Sequence, residues 1–380
     1  MLISYTKQNI SCSDVNYVTK SLKNNLLTQG PLVIKFERDL KKRFKCKNAT
    51  VVNNGSSALI LAGKVLNWKR GDYIVVPPIT FLSSVNAIEH LGATPLFIDI
   101  SMEDYCMNAD RLEEKLQKDK HKKIKSAIVT DYGGQPANWS KFFWLKKKYG
   151  ITLINDNCHA IGSKISNDSG YACKYADLVT LSFHPAKAIT TGEGGAFLSN
   201  NNKLDDKIKI LRSHGIERKN NKYWSYEMNE IGYNFRLPDI NCALGISQLR
   251  RLDKFISKKI KIVKIYDKFF SMYDIFKVPK KIKKNFNSYH LYPLLVNFKK
   301  IKKSKDSIIK QFLKFNIKLQ VHYIPVNLQP YYKKKYFFKS KDFNNSIKFY
   351  EEELSIPLYY DLSKKKIQFF LNKCKKIFNL

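Results

Sequence analysis

A chain of 380 residues has room for one large domain and a smaller one, and its 44% hydrophobic and 26% charged residues exclude a disordered protein. The formal net charge of +36 raises nucleic acid as a partner, but the excess lysine sits in runs without a helix-turn-helix, zinc-finger or RNA-binding motif. No apolar run reaches the roughly 18 residues of a membrane span, and the first residues lack the basic-then-apolar layout of a signal peptide. Taken in chain order, short β-branched apolar runs predict strands at 73–76, 95–99, 126–130, 151–154, 178–182 and 196–199. Amphipathic stretches between them predict helices at 56–68, 82–91, 109–117, 139–149 and 203–213. Alternation of this kind implies an α/β fold, with an open, mostly parallel sheet covered on both faces. Beyond about residue 245 the pattern changes to a long Lys-rich helix (249–272), a strand (289–297), a helix (304–315), a strand (317–323) and two helices (344–354 and 363–378). We therefore expect a large domain over 1–245, including an N-terminal arm, and a smaller α+β domain over 246–380.

Ligands of such sheets bind beyond the carboxyl ends of the strands, so the loops that follow the apolar runs are where chemistry is sought. The 178–182 strand leads into Ser182-Phe183-His184-Pro185-Ala186-Lys187, followed by Thr190-Thr191-Gly192-Glu193-Gly194-Gly195. Lys187 is one of only three basic residues in 151–200, with Lys164 and Lys174. A lysine drawn out of water becomes neutral and nucleophilic, as a Schiff-base lysine must be. Alone, in a lysine-rich chain, it reads more readily as a solvent-facing loop lysine. Asp156 and His159 follow the 151–154 strand one strand–helix–strand unit upstream. A carboxylate there can pair with a pyridinium nitrogen, although a lone Asp after a strand is commonly a helix cap or turn former. Gly55-Ser56-Ser57 opens an apolar helix and makes a phosphate-sized anion site of a common N-cap type. Phe81, after Pro77-Pro78-Ile79-Thr80, can cover a flat ring or simply pack in a core.

Phosphate turn, aromatic, acid and lysine in this order resemble the DegT/DnrJ/EryC1/StrS family of sugar aminotransferases. The resemblance spans nearly the whole chain. It includes Leu27-Thr28-Gln29-Gly30-Pro31, the Asp156-x-x-His159 element, the loop from Ser182 to Gly195, Gly232-Tyr233-Asn234-Phe235-Arg236, and Val321-His322-Tyr323-Ile324-Pro325. Ser56 stands where the family usually has threonine, and Asn157 and Cys158 stand where small residues are frequent. The family implies the aspartate aminotransferase-like fold (fold type I) and pyridoxal 5'-phosphate. It implies Lys187, Asp156 and His159 as catalytic residues. Gly55, Ser56, Ser57, Phe81, Asp156, Ser182 and Lys187 would hold the cofactor, with Asn234 supplied by the neighbouring subunit of a homodimer with shared sites. Tyr5, Asn25, Leu26, Leu27, Thr28, Gly55, Ser182, Asn234, His322, Tyr323, Ile324 and Pro325 would contact the nucleotide sugar.

Within the family, the lysine loop and His322-Tyr323-Ile324-Pro325 most resemble members that aminate C4 of a UDP-linked 4-keto-6-deoxy-N-acetylhexosamine from glutamate, on the route to pseudaminic acid. Another 3- or 4-keto nucleotide sugar is the alternative substrate, and a non-catalytic cofactor-binding regulator or a basic nucleic-acid-binding protein are the rival classes. Some relatives carry histidine in place of the lysine and act as dehydratases; Lys187 argues against that activity. The seven cysteines (Cys12, Cys46, Cys106, Cys158, Cys173, Cys242, Cys374) include no C-x-x-C pair, so neither a metal site nor a disulfide framework is expected. Buried thiols of a reducing compartment, in a cytoplasmic protein without a membrane or nucleic-acid partner, complete the expectation.

Overall fold

In the computed structural model, which describes residues 2–218, 222 and 224–380, seven strands form one sheet. They are β1 (Asn48–Val52), β2 (Tyr73–Val76), β3 (Thr94–Phe97), β4 (Ile124–Thr130), β5 (Thr152–Asp156), β6 (Leu178–Ser182) and β7 (Gly195–Ser199), in the spatial order β1-β7-β6-β5-β4-β2-β3. Pairing is parallel from β6 through β5, β4 and β2 to β3, while β7 runs antiparallel to both β6 and β1. The mostly parallel α/β sheet expected from the sequence is thus present, with one reversed strand. Both faces are covered, as the near-continuous apolar runs require. Alternate residues serve opposite cores: Val75, Ala127, Val129 and Leu153 face one, and Ile74, Val76, Ile128 and Ile154 the other.

The first face is covered by α2 (Pro31–Phe44), α5 (Ala109–Lys118) and α6 (Trp139–Tyr149), and the second by α3 (Gly55–Val65), α4 (Leu82–His90) and α7 (Asn202–Arg212). Helix α1 (Cys12–Ser21) and helix α8 (Asp239–Arg250) complete this part. Sequence reading gave the N-terminal arm no bounds, assigned no element before residue 56, and so missed α1, α2 and β1. Yet α2 has clear end signals, with Pro31 in its first turn, Lys45 as a left-handed cap, and Val33, Phe36, Leu40 and Phe44 on one buried stripe.

Helix α9 (Leu252–Phe270) follows α8 after a break at Arg251, where one continuous helix had been expected from 249. The Arg251 guanidinium bonds to Asp14 Oδ2 at 2.6 Å and to Ser11 Oγ at 2.8 Å, which ties the break to α1. Leu252, Phe255 and Ile256 still belong to the core under the large sheet, whereas Ile262, Val263, Tyr266 and Phe270 belong to a second core. That core gathers Ile3, the three-stranded sheet of β8 (Phe276–Lys277), β9 (Pro293–Val296) and β10 (Glu353–Ser355), α10 (Lys305–Lys314) and α12 (Lys364–Phe378). Helix α11 (Asn344–Glu352) precedes β10.

The expected strand at 317–323 is not a strand. It makes only isolated bridges, Ile317 to Ile3 and Gln320 to Ser355, because it runs from the second core out to the rim of the large sheet. Among the described residues no helix is long and apolar enough to cross a membrane, and no group of three or more His, Cys, Asp or Glu could hold a metal ion.

Candidate active site

Register decides what the sheet presents at its edge. Thr130 pairs with Asp156, Asp156 with Thr180, and Ser182 with Gly195, which in turn pairs with Val52. The ends of β1, β4, β5 and β6 and the start of β7 therefore lie side by side. A cavity of about 620 Å³ opens there. Its walls include Gly55, Ser56, Thr80, Phe81, Thr130, Asp156, His159, Ser182 and Lys187 from the large sheet, with Tyr5, His290, His322 and Tyr323 from other parts of the chain.

Asp156 is buried and its carboxylate is oriented from two sides. Ser84 Oγ donates to Oδ2 at 2.9 Å and the Cys158 N–H donates to Oδ1 at 3.2 Å. Thr80 and Thr130 join their hydroxyls at 2.9 Å beside Ser84, which fixes the loop that carries Phe81. Phe81 is 54% exposed, an apolar ring turned to the cavity and not to a core.

Lys187 sits in a loop closed at its base by Phe183 N–H on Gly194 O (2.8 Å) and Thr191 N–H on Phe183 O (3.0 Å). Gly192 within it has φ +82°, a conformation that favours glycine. Burial holds the Lys187 amine below its ordinary value, against the pull of Cys158 and Asp156, so more of it is neutral near pH 7 than in a surface lysine. No other lysine or arginine lines the cavity among the described residues.

Helix α3 starts at Gly55, capped by Asn54 Oδ1, which accepts from the Ser57 N–H at 2.8 Å. The N–H groups of Gly55 and Ser56 have no acceptor among the described residues and meet the cavity at the positive end of the helix. A Cβ on Gly55 would stand 3.0 Å from Ser182 Cβ, and one on Gly195 would stand 2.5 Å from Asn54 O. These close approaches form a tight polar cradle.

His159 is neutral: burial first, then Lys187 and His322, push it well below its ordinary value. The Gly133 N–H points at its Nδ1 (3.4 Å), its Nε2 lies 3.0 Å from the Tyr323 hydroxyl, and its ring lies 4.4 Å from that of His290. Burial also pushes His290 down and keeps the Tyr323 hydroxyl protonated.

Of the residues singled out from the sequence, the structure brings together Tyr5, Gly55, Ser56, Phe81, Asp156, His159, Ser182, Lys187, His322 and Tyr323. Ser57 is buried beneath the cradle, and Ile324 and Pro325 lie outside the cavity. Asn25, Leu26, Leu27, Thr28 and Asn234 are exposed and outside it as well. The two latter segments meet each other, through a Thr28–Pro238 bridge and an Asp239 N–H bond to Leu27 O (2.9 Å). Sequence reasoning missed Ser84, Thr130 and His290. The one signal for His290 is spatial: four of the seven histidines (His159, His184, His290, His322) line this cavity.

Comparison with known proteins points to a single family. Residues 8–374 match the DegT/DnrJ/EryC1/StrS aminotransferase family. A Campylobacter jejuni protein named UDP-4-amino-4,6-dideoxy-N-acetyl-beta-L-altrosamine transaminase is 39% identical over 97% of this chain and 95% of its own. The spore coat polysaccharide biosynthesis protein SpsC of Bacillus subtilis is 31% identical over 95% and 93%. Among solved structures, the aminotransferase PseC of Helicobacter pylori, described as involved in pseudoaminic acid biosynthesis, superposes with a TM-score of 0.92 at 29% identity over all of both chains. The PLP form of the putative sugar aminotransferase Spr1654 of Streptococcus pneumoniae gives 0.89 at 25% identity, covering 100% of this chain and 98% of that one.

Proposed function

This chain belongs to the DegT/DnrJ/EryC1/StrS aminotransferase family, and we propose that it moves the amino group of glutamate to C4 of a UDP-linked 4-keto-6-deoxy-N-acetylhexosamine. It is a transaminase dependent on pyridoxal 5'-phosphate. The observation that carries the reading is the placement of Lys187, Asp156 and the Gly55 turn around one cavity. The residues fit the cofactor. The free N–H groups of Gly55 and Ser56, with Ser182 beside them, suit its phosphate, and the Cβ-tight cradle leaves the backbone close enough to reach it. Asp156 suits the ring nitrogen, and Phe81 suits the ring face.

When bound, the cofactor supplies the carbonyl that receives and passes on the amino group, together with an electron-withdrawing ring. The chain's own residues do the rest. Ser84 and the Cys158 N–H aim the Asp156 carboxylate, which keeps a proton on the ring nitrogen. Lys187, partly neutral through burial, would take the proton from Cα of the amino donor as general base and, as the conjugate acid, give it up to the cofactor's carbonyl-derived carbon and not back to Cα. Neutral His159, set by the Gly133 N–H, orients the Tyr323 hydroxyl at the cavity wall. His322 and Tyr5, whose rings lie 5.2 Å apart, face the nucleotide sugar.

A second copy of the chain completes the site in this reading. Its support is the exposed apolar surface of Leu26, Leu27 and Ile34, the segment around Met228 and Ile231, and the exposed Asn234, which no group of its own cavity uses. The same reading places the enzyme in the cytoplasm.

The test is to incubate the enzyme with pyridoxal 5'-phosphate, glutamate and the UDP-linked 4-keto sugar and to weigh the products. A UDP-amino sugar formed in step with 2-oxoglutarate supports the proposal. Release of 2-oxoglutarate beyond one equivalent per chain only with a different keto sugar would move the substrate assignment and leave the transaminase chemistry in place.

A further inference from the structure

His322 is held by more than a place in the cavity wall. The bridge between Gln320 and Ser355 is closed by two backbone bonds, Gln320 N–H to Ser355 O at 3.2 Å and Ser355 N–H to Gln320 O at 2.8 Å. In an antiparallel pair that register sets His322 opposite Glu353. There its N–H meets a carboxylate: His322 N–H donates to Glu353 Oε2 at 3.0 Å. Glu353 Oε1 is 2.5 Å from Ser355 Oγ, and Ser355 Oγ is 2.8 Å from His322 Nδ1. All three side chains are buried, and the Tyr132 hydroxyl donates to His322 O at 2.5 Å. Nδ1 is thereby occupied, and Nε2, on a residue that lines the cavity, has no protein partner among the described residues.

A serine hydroxyl has a single proton to donate. Ser355 can give it to Glu353, in which case it accepts from Nδ1–H and leaves a lone pair on Nε2. Alternatively a protonated Glu353 donates to Ser355, which donates to Nδ1 and leaves the imidazole proton on Nε2. The chain of three groups has only these two polarities. We propose that Glu353, acting through Ser355, is a positioning residue that sets the tautomer of His322 and so decides whether the cavity offers the sugar nucleotide an acceptor or a donor.

Burial lifts Glu353 to about 8, against hydrogen bonds from Ser355 and His322 and the attraction of Lys305. Burial and Lys187 push His322 down to about 3, so the ring is neutral in both arrangements. The phenols that face Glu353, those of Tyr105, Tyr132 and Tyr323, stay protonated, chiefly through their own burial. Below about pH 8 the wall is therefore a donor and above it an acceptor. The consequence for the sugar nucleotide rests on the reading given above; the tautomer does not.

The experiment is a long-range proton–nitrogen NMR spectrum of the full chain labelled with 15N-histidine, with His322 assigned from the signals missing in His322→Asn. The expected result is an Nε2–H tautomer at pH 6.5 that converts to Nδ1–H as the pH passes about 8. In Glu353→Gln the amide oxygen keeps the His322 N–H and the NH₂ group faces Ser355, so Nε2–H persists at every pH. One tautomer across the whole range in the wild type overturns the proposal, and that titration needs no variant to fold. A Glu353→Gln protein that still switches overturns it as well. In turnover, the KM for the UDP-linked keto sugar should step roughly 3- to 10-fold across pH 8 in the wild type, the worth of one hydrogen bond, and the step should vanish in Glu353→Gln. A tautomer that switches in a protein that aminates no UDP-linked keto sugar would sink the substrate assignment and leave the relay standing.

Discussion

One wall of the cavity is the edge of a sheet, where Asp156 and Ser182 end their strands and Gly55 and Lys187 follow closely on strand ends. The other wall is residues 320–323, tied to β10 by a single bridge and completed by Ser355 and Glu353. The first is assembled by neighbouring parallel strands, whose order along the chain already carries the chemistry. The second depends on the register of two segments brought together by a separate core. In the proposed reading the difference divides the labour: the sheet edge would hold the groups that move protons and bind the cofactor, and the second wall the groups that orient the substrate.

Mutations should respect that division. Lys187→Ala removes the proposed general base and should cost turnover about 10³-fold or more, with the thermal melt nearly unchanged because the side chain lines a cavity. A variant that keeps full turnover would break the comparison at once. Asp156→Asn should lower kcat by roughly 10²-fold while leaving the KM for the sugar nucleotide within a factor of about 2. The Cys158 N–H can still donate to the amide oxygen, and the Ser84 hydroxyl can turn to accept from the amide NH₂. Gly55→Ala puts a Cβ 3.0 Å from Ser182 Cβ, so cofactor affinity, read by titration with pyridoxal 5'-phosphate, should fall about 10-fold. On the other wall, Tyr323→Phe deletes the hydroxyl 3.0 Å from His159 Nε2 and should raise the sugar KM roughly 3- to 10-fold with little change in kcat. A kcat collapse there would erase the division.

The smallest effect concerns stability. Glu353 has its folded-state value raised, so its contribution is fully present below the ordinary carboxylate range and is lost as the pH rises through about 8. The melting temperature should therefore fall more between pH 5 and pH 9 in the wild type than in Glu353→Gln.

The sheet edge was legible in the sequence because each of its pieces is local. A β-branched run followed by Asn155-Asp156, or by Ser182 and a glycine-rich loop, announces both the strand and what stands at its end. β1 escaped because it begins with the polar Asn48 and its strand character comes from pairing with β7 far along the chain. The bridge-held segment 317–323 looked like a strand because alternation is a property of extended backbone with or without a partner sheet. Ser355 and Glu353 carried no signal at all. Their partnership with His322 exists only through the register of Gln320 with Ser355, and His290 likewise reaches His159 only in space.

The central claim is tested most directly by mixing the purified enzyme, loaded with pyridoxal 5'-phosphate, with glutamate in the absence of any sugar, and by counting the 2-oxoglutarate released while following the cofactor's absorbance. About one equivalent per chain, released with a single change in the cofactor spectrum and reversed by the keto sugar, is the predicted result. A loaded enzyme that releases no 2-oxoglutarate and whose spectrum ignores glutamate would contradict the account.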